Sequence, residues 1–207
     1  MTRPAAAVPN DAQTHRSRTS RGEFAVHGKM RVVNPTTIMQ PLTFAIDSMS
    51  RQQLREALRT SGIATNELAE KLLDDAVFDG VEPRQVTVVE RSVAELGLDG
   101  GATLPQILSA AHENRLLLCP PTTGPYLRLS LMTQSTAPDN VMSSGRAPSG
   151  SLTVASGPLH ADPEYPRGFY LRAVDGRTWL RGYRCDEDFV WSPLDRFVFA
   201  LQTVATG

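Results

Sequence analysis

Apolar positions recur along this chain with two periods, and the change of period marks its elements. Over residues 169–174 and 177–183 the period is two, on either side of Asp175-Gly176. Asp-Gly supplies the two positive-φ positions of a type I′ turn, whose twist matches the flanking strands. A hairpin is therefore predicted in which Val174 faces Arg177, Arg172 faces Trp179 and Tyr170 faces Arg181. Because side chains alternate along a strand, Phe169, Leu171 and Leu180 form the core face. Tyr170, Arg172, Trp179, Arg181 and Tyr183 share the other. A turn at 191–195 leads to a final strand at 196–201, with Phe197, Phe199 and Leu201 inward, which is expected to close the sheet.

The period of 3.6 appears in three places. Residues 50–80 read as a helix pair. Ser50 and Gln53 make a capping box, Leu54, Ala57 and Leu58 form a stripe, and Gly62 stops the first helix. The second opens near Thr65 or Asn66, buries Leu68, Ala69, Leu72, Leu73 and Ala76, and runs to Gly80. Ser92 and Glu95 box a single turn ended by Gly97. Thr103 and Gln106 cap the main helix, with Leu104, Ile107, Leu108 and Ala111 inward and Pro105 in the first turn, where it is tolerated. Further strands are expected at 42–46, 85–90, 116–118 and 151–156. Another is expected at 126–132, with Leu127, Leu129 and Leu131 inward and Tyr126, Arg128 and Ser130 outward. Residues 133–150 read as a long flexible loop and 157–168 as a second loop. The sum is an α+β fold: a mostly antiparallel sheet of five or six strands, one main packing helix and a small N-terminal helix pair.

Composition divides the chain. Residues 1–38 carry six basic and two acidic groups, a net of +4, and no apolar period; the remainder carries 15 basic and 20 acidic, a net of -5. The first segment reads as a disordered tail, with a transit peptide or a start at Met30 or Met39 as alternatives. Residues 39–82 then hold a strand and the helix pair, and 83–203 the α+β domain. The mildly acidic remainder argues against general phosphate-backbone binding. The helix pair could be taken for a helix-turn-helix, but Lys71 stands against Glu67, Glu70, Asp74, Asp75 and Asp79, so no DNA contact is expected. Cys119 and Cys185 are too few and too far apart for a disulfide framework. No apolar run reaches the roughly 18 residues of a membrane span. A cytoplasmic protein with reduced thiols is the expectation.

The run VAELGLDGGATLPQILSAAHENRLLLCPPTTGPYLRLSL, then LTVASGPL, GFYLRAVDGRTWLRGY and VWSPLDRFVFAL, resembles a family of conserved hypothetical bacterial proteins. That family's pattern has an ELGF-like turn, a GAT helix start, an LCP strand end, a GPxLRL strand and a terminal WxPxDRFVF strand. The resemblance spans residues 42–201. It implies no activity, ligand or site residue. Thr122-Thr123 stands where the family has an acidic residue and Val before Gly-Pro. Thr133-Gln134-Ser135 replaces its DQP-like run.

Candidate chemistry is sparse. His112-Glu113 lacks the second His of a zinc-protease helix, because that position is Leu116. With only Lys29 and Lys71, no Gly-rich loop ends in the Lys-Ser/Thr pair that cradles phosphate. His160 with Asp162, Glu164 and Tyr165 could supply a general base or half a metal site, or simply be a solvated loop whose acids cap turns. No metal and no cofactor is expected. The Arg and aromatic hairpin face likewise has two interpretations. One is a half-exposed sheet face on which Arg stems stack against rings. The other is a platform for an anionic or planar ligand, since Arg offers a bidentate fork and the rings a stacking surface. The leading expectation is a non-enzymatic binding or regulatory protein. Its contact residues would be Tyr126, Arg128, Tyr170, Arg172, Trp179, Arg181 and Tyr183, and its partner a protein or a small anionic ligand. The alternatives are a small hydrolase or nuclease-like enzyme using His160, Asp162 and Arg172, and a structural module whose helix pair docks a partner.

Overall fold

In the computed structural model, which describes residues 37–140 and 147–202, β1 (Leu42–Ile46) opens the chain as the pattern requires. The expectations for residues 1–36, including the disordered tail and the start at Met30, lie outside the described residues, as does the middle of the long loop. Ser50 caps α1 (Arg51–Thr60) through a reciprocal box: its Oγ accepts the Gln53 N–H at 3.3 Å, and Gln53 Oε1 accepts the Ser50 N–H at 2.9 Å. After the two-residue β2 (Ala64–Thr65), Asn66 caps α2 (Glu67–Leu73). This helix ends earlier than expected. Asp75 starts a separate 3-10 turn, Ala76–Phe78, which leaves Ala76 exposed and buries Phe78 edge-on against Phe169 at 6.2 Å.

β3 (Arg84–Ser92), the box of Ser92 with Glu95, β4 (Ala102–Thr103) and α3 (Leu104–Glu113) follow. Residues 116–118 do not form a buried strand. Leu117 makes a single bridge to Ala200, and Leu117 and Leu118 are more than 40% exposed.

The expected strand at 126–132 is also overturned. Its place is taken by α4 (Thr123–Ser130), and every residue from Thr123 to Arg128 is buried. An element buried on all sides has no solvent face to give it a helical period, so the alternating Leu residues carried no information about direction. Pro125 sits in the first turn, where its missing N–H costs little. Gly124 lies so close to the Phe169 ring that a Cβ there would stand 2.7 Å from it. The Tyr126 hydroxyl, expected outward, instead donates to the Asp47 carbonyl at 2.5 Å.

β5 (Leu152–Val154) leads to β6 (Gly168–Val174) and β7 (Arg177–Tyr183), joined by Asp175 and Gly176 at φ of 50° and 73°. Val174 pairs with Arg177, Arg172 with Trp179 and Tyr170 with Arg181, as the turn chemistry dictates. β8 (Val190–Trp191) pairs with β4 apart from the main sheet, and β9 (Arg196–Ala200) ends the described fold.

The fold is α+β, with four α-helices among the described residues and a curled sheet in the order β1-β3-β9-β5-β6-β7-β2. The sheet has seven strands rather than five or six and is mixed, because β5 runs parallel to β9 and β2 parallel to β7. Nor does β9 close it. It lies between β3 and β5, and its two faces serve two cores. Val198 and Ala200 join Phe44, Val88, Leu171 and the buried sides of α1, α2 and α4. Phe197 and Phe199 join Tyr170, Tyr183, Trp191 and the inner face of α3. Among the described residues no helix is long and apolar enough to cross a membrane.

Candidate functional site

The polar face of the hairpin is not half-exposed. Tyr170 and Arg172 are both 0% exposed, and Arg181 and Tyr183 are buried. Tyr170 and Tyr183 are covered by Trp191, Phe197 and the inner face of α3, and Arg172 by the loop after α4, whose Ala137 N–H donates to the Ala173 carbonyl at 2.8 Å. Its Asp139 receives Arg172 Nη2 at 2.8 Å on the carboxylate and 2.9 Å on the carbonyl. The Tyr170 hydroxyl accepts from Arg181 Nε at 2.7 Å. Tyr183 packs edge-on against Trp191 at 5.9 Å. Burial pushes both phenols above their usual pKa, despite Arg181 beside Tyr170 and Arg167 near Tyr183. Tyr170, Arg172 and Tyr183 are thus interior residues. Tyr126 and Arg128 are carried by α4 rather than a strand; Tyr126 lies in the other core and Arg128 is buried against Gln134.

What stays open is the turn-proximal end of β7. Trp179 is half-buried, with the Arg177 guanidinium 4.8 Å and the Arg181 guanidinium 5.2 Å from its ring centroid. Strand alternation explains the sandwich, since residues two apart flank each other on one face. Beside the indole is a cleft of about 380 Å³, walled by Arg55 and Arg59 of α1, Thr65 of β2 and Glu70 of α2. Arg55 is neutralised by Glu70 and Asp74, each at 3.0 Å, and Arg59 by Glu56 at 2.6 Å. Arg177 and Arg181 have no carboxylate partner among the described residues. The cleft therefore combines an aromatic face, the uncompensated Arg177 guanidinium and a polar wall that can donate and accept, with the buried Arg181 backing the indole from outside the cleft lining. Such a set stacks a planar group and holds an anionic substituent. Arg55, Arg59, Thr65, Glu70 and Arg177 were missing from the expected site. Arg177 was legible as the next same-face neighbour of Trp179, whereas no local signal announced the parallel pairing of β2 that brings up the other four.

His160 and Asp162 line one cleft of about 300 Å³ with Tyr165 and Arg167, and Arg172 is not part of its lining. The His160 Nε2 lies 2.6 Å from Asp75 Oδ2, and its ring packs against Tyr165 at 4.2 Å. Tyr165 in turn donates to the Lys71 carbonyl at 3.1 Å and lies under the Lys71 ammonium at 4.7 Å. Asp162 caps its own turn by accepting the Glu164 N–H at 2.9 Å. The three residues of the expected hydrolytic constellation therefore engage three different partners. His160 fastens the loop 157–168 to the end of α2. Among the described residues no three His, Cys, Asp or Glu side chains converge as a metal site.

Comparison of the chain with family models, with curated proteins and with solved structures gives no match.

Proposed function

We propose that this protein is a non-enzymatic binding protein whose ligand is a planar ring bearing an anionic group, held in the cleft beside Trp179. The observation that carries this reading is the indole set between the guanidiniums of Arg177 and Arg181, at 4.8 and 5.2 Å, with no carboxylate on either. An unpaired cation over an aromatic face is worth only about 0.5–1 kcal/mol at an exposed site. Held this way the exposed Arg177 guanidinium remains available to an incoming anion, unlike Arg172, whose charge is taken by Asp139. Thr65 and Glu70 on the opposite wall suit a ligand that also carries hydrogen-bonding groups. The His160 pair supports loop anchoring, since its carboxylate partner also caps a turn through the Val77 N–H at 2.9 Å.

The test is affinity capture from the native cell extract with mass spectrometry of bound small molecules, comparing wild type with an Arg177→Ala/Trp179→Leu double variant. A planar anionic compound retained by the first and lost from the second is the expected result. Equal recovery from both would remove the cleft from the account.

A further inference from the structure

Arg128 lies outside the Trp179 cleft and poses a separate problem. It is carried by α4 and is 0% exposed. Its guanidinium makes one hydrogen bond, from Nη1 to Gln134 Oε1 at 2.8 Å. Nε and Nη2 are buried with no partner, and no carboxylate pairs with the charge among the described residues. A guanidinium remains protonated at neutral pH even where burial draws its pKa down to about 10, as it does here. A buried charge without a counter-charge is among the most costly groups a fold can carry. By contrast Arg172, equally buried, has Asp139, and Arg196 has Glu90.

The partner that Arg128 does have points outward. Gln134 spans from Arg128 to the Leu171 carbonyl, to which its Nε2 donates at 3.2 Å. It also forms part of the wall of a cleft of about 460 Å³ between the segment after α4 and the hairpin turn. That wall is rich in hydroxyls, from Thr37, Thr133, Ser135, Thr136 and Thr178, and includes no carboxylate. Hydroxyls and a guanidinium are the donors that surround a small oxyanion. Gln134 belongs to both, since it lines the cleft and its amide oxygen accepts from Arg128.

We infer that this cleft is a binding site for a small oxyanion, a phosphate or carboxylate group, which displaces Gln134 from Arg128 and takes the guanidinium as its counter-charge. The unliganded guanidinium is closed off from water, so entry requires the Gln134 side chain to swing aside, and the hydroxyls of the wall then complete the anion's shell.

The test is the melting temperature of the full chain against inorganic phosphate and, separately, acetate. Wild type, Arg128→Met and Gln134→Glu are compared. Phosphate stabilises most proteins through exclusion from their surface, so the difference between wild type and variants is the readout. The expected result is a saturable rise for wild type with at least one of the two anions, and only the shallow unsaturable rise for both variants. Which anion saturates distinguishes a phosphate from a carboxylate ligand. Gln134→Glu places a carboxylate where the ligand would sit, so without added anion it should also melt about 3 °C or more above wild type. This variant decides the matter alone if Arg128→Met fails to fold. Parallel anion responses in wild type and Gln134→Glu, or a Gln134→Glu protein that melts below wild type, would overturn the assignment.

Discussion

Asn66 grips both backbone groups of Gly182. Its Oδ1 accepts the Gly182 N–H at 2.8 Å and its Nδ2 donates to the Gly182 carbonyl at 3.1 Å, while Oδ1 also caps α2 through the Ala69 N–H at 3.0 Å. One side chain thereby starts a helix and seats it on β7, three residues from Trp179. The seat is so close that a Cβ on Gly182 would lie 2.5 Å from the Leu68 backbone. Gly182→Ala is expected to cost about 2 kcal/mol or more, since backbone rather than a flexible side chain must move. Asn66→Ala should cost about 1–3 kcal/mol, for the lost cap and two orphaned backbone groups. Urea denaturation measures both, and an unchanged midpoint for Gly182→Ala would contradict the described seating of α2.

Glu90 holds the start of the described chain to the sheet. It is 2% exposed, accepts the N–H groups of Thr37 and Ile38 at 2.8 and 2.6 Å, and pairs with Arg196 Nε. Removing the carboxylate leaves the poorly exposed Arg196 without its inner partner, so Glu90→Ala is expected to cost about 3–5 kcal/mol. Glu95, at 3.2 Å from Arg196 Nη2, reaches the same guanidinium from its solvent side. A loss below about 1 kcal/mol in denaturant titration would show that Glu95 suffices.

The anchor between Asp75 and His160 gives stability a dependence on acid. Burial pushes the Asp75 carboxyl up, but the Val77 N–H and His160 together outweigh it and hold the group below the usual carboxylate range. A folded pKa below the unfolded value, about 3.9, means that the contribution is complete above that value and is lost as pH falls through the depressed one. Melting temperature should therefore fall less steeply for Asp75→Asn than for wild type below about pH 4. Superimposable acid limbs would count against the anchor.

The two thiols should differ in reactivity. Cys119 is buried and its pKa is pushed up to about 12 by burial, whereas Cys185 is half-buried beside the His160 loop. Only the thiolate attacks a disulfide reagent. Native protein treated with Ellman's reagent is expected to release about one equivalent of chromophore, from Cys185, with Cys119 reacting only after unfolding. Two equivalents released rapidly from native protein would contradict the buried position of Cys119.

Local chemistry made part of this fold readable from the residues alone. Asp175-Gly176 set the hairpin register, and Ser50 with Gln53, Ser92 with Glu95 and Thr103 with Gln106 marked three element starts. What escaped depends on contacts distant in sequence. α4 is indistinguishable from a strand because its first six residues, Thr123 to Arg128, are all buried. The expected binding face is buried under α3 and Trp191 at Tyr170 and Tyr183, and under Asp139 and its loop at Arg172. His160 found its acid 85 residues away at Asp75 rather than two away at Asp162. For the Trp179 cleft, β7 disclosed the ring and its two Arg neighbours, while the opposite wall depends on where α1, β2 and α2 pack.

Calorimetric titration with two planar anions, adenosine monophosphate and benzoate, asks whether the Trp179 cleft binds such a ligand. Wild type, Trp179→Leu and Arg177→Ala would be compared at low salt. The expected result is saturable binding of at least one of the two by wild type, weakened tenfold or more in each variant; Arg177 is exposed and Trp179 half-buried, and neither belongs to the buried core. Binding undiminished in both variants, or no saturable binding of either compound by wild type, would contradict the proposed site.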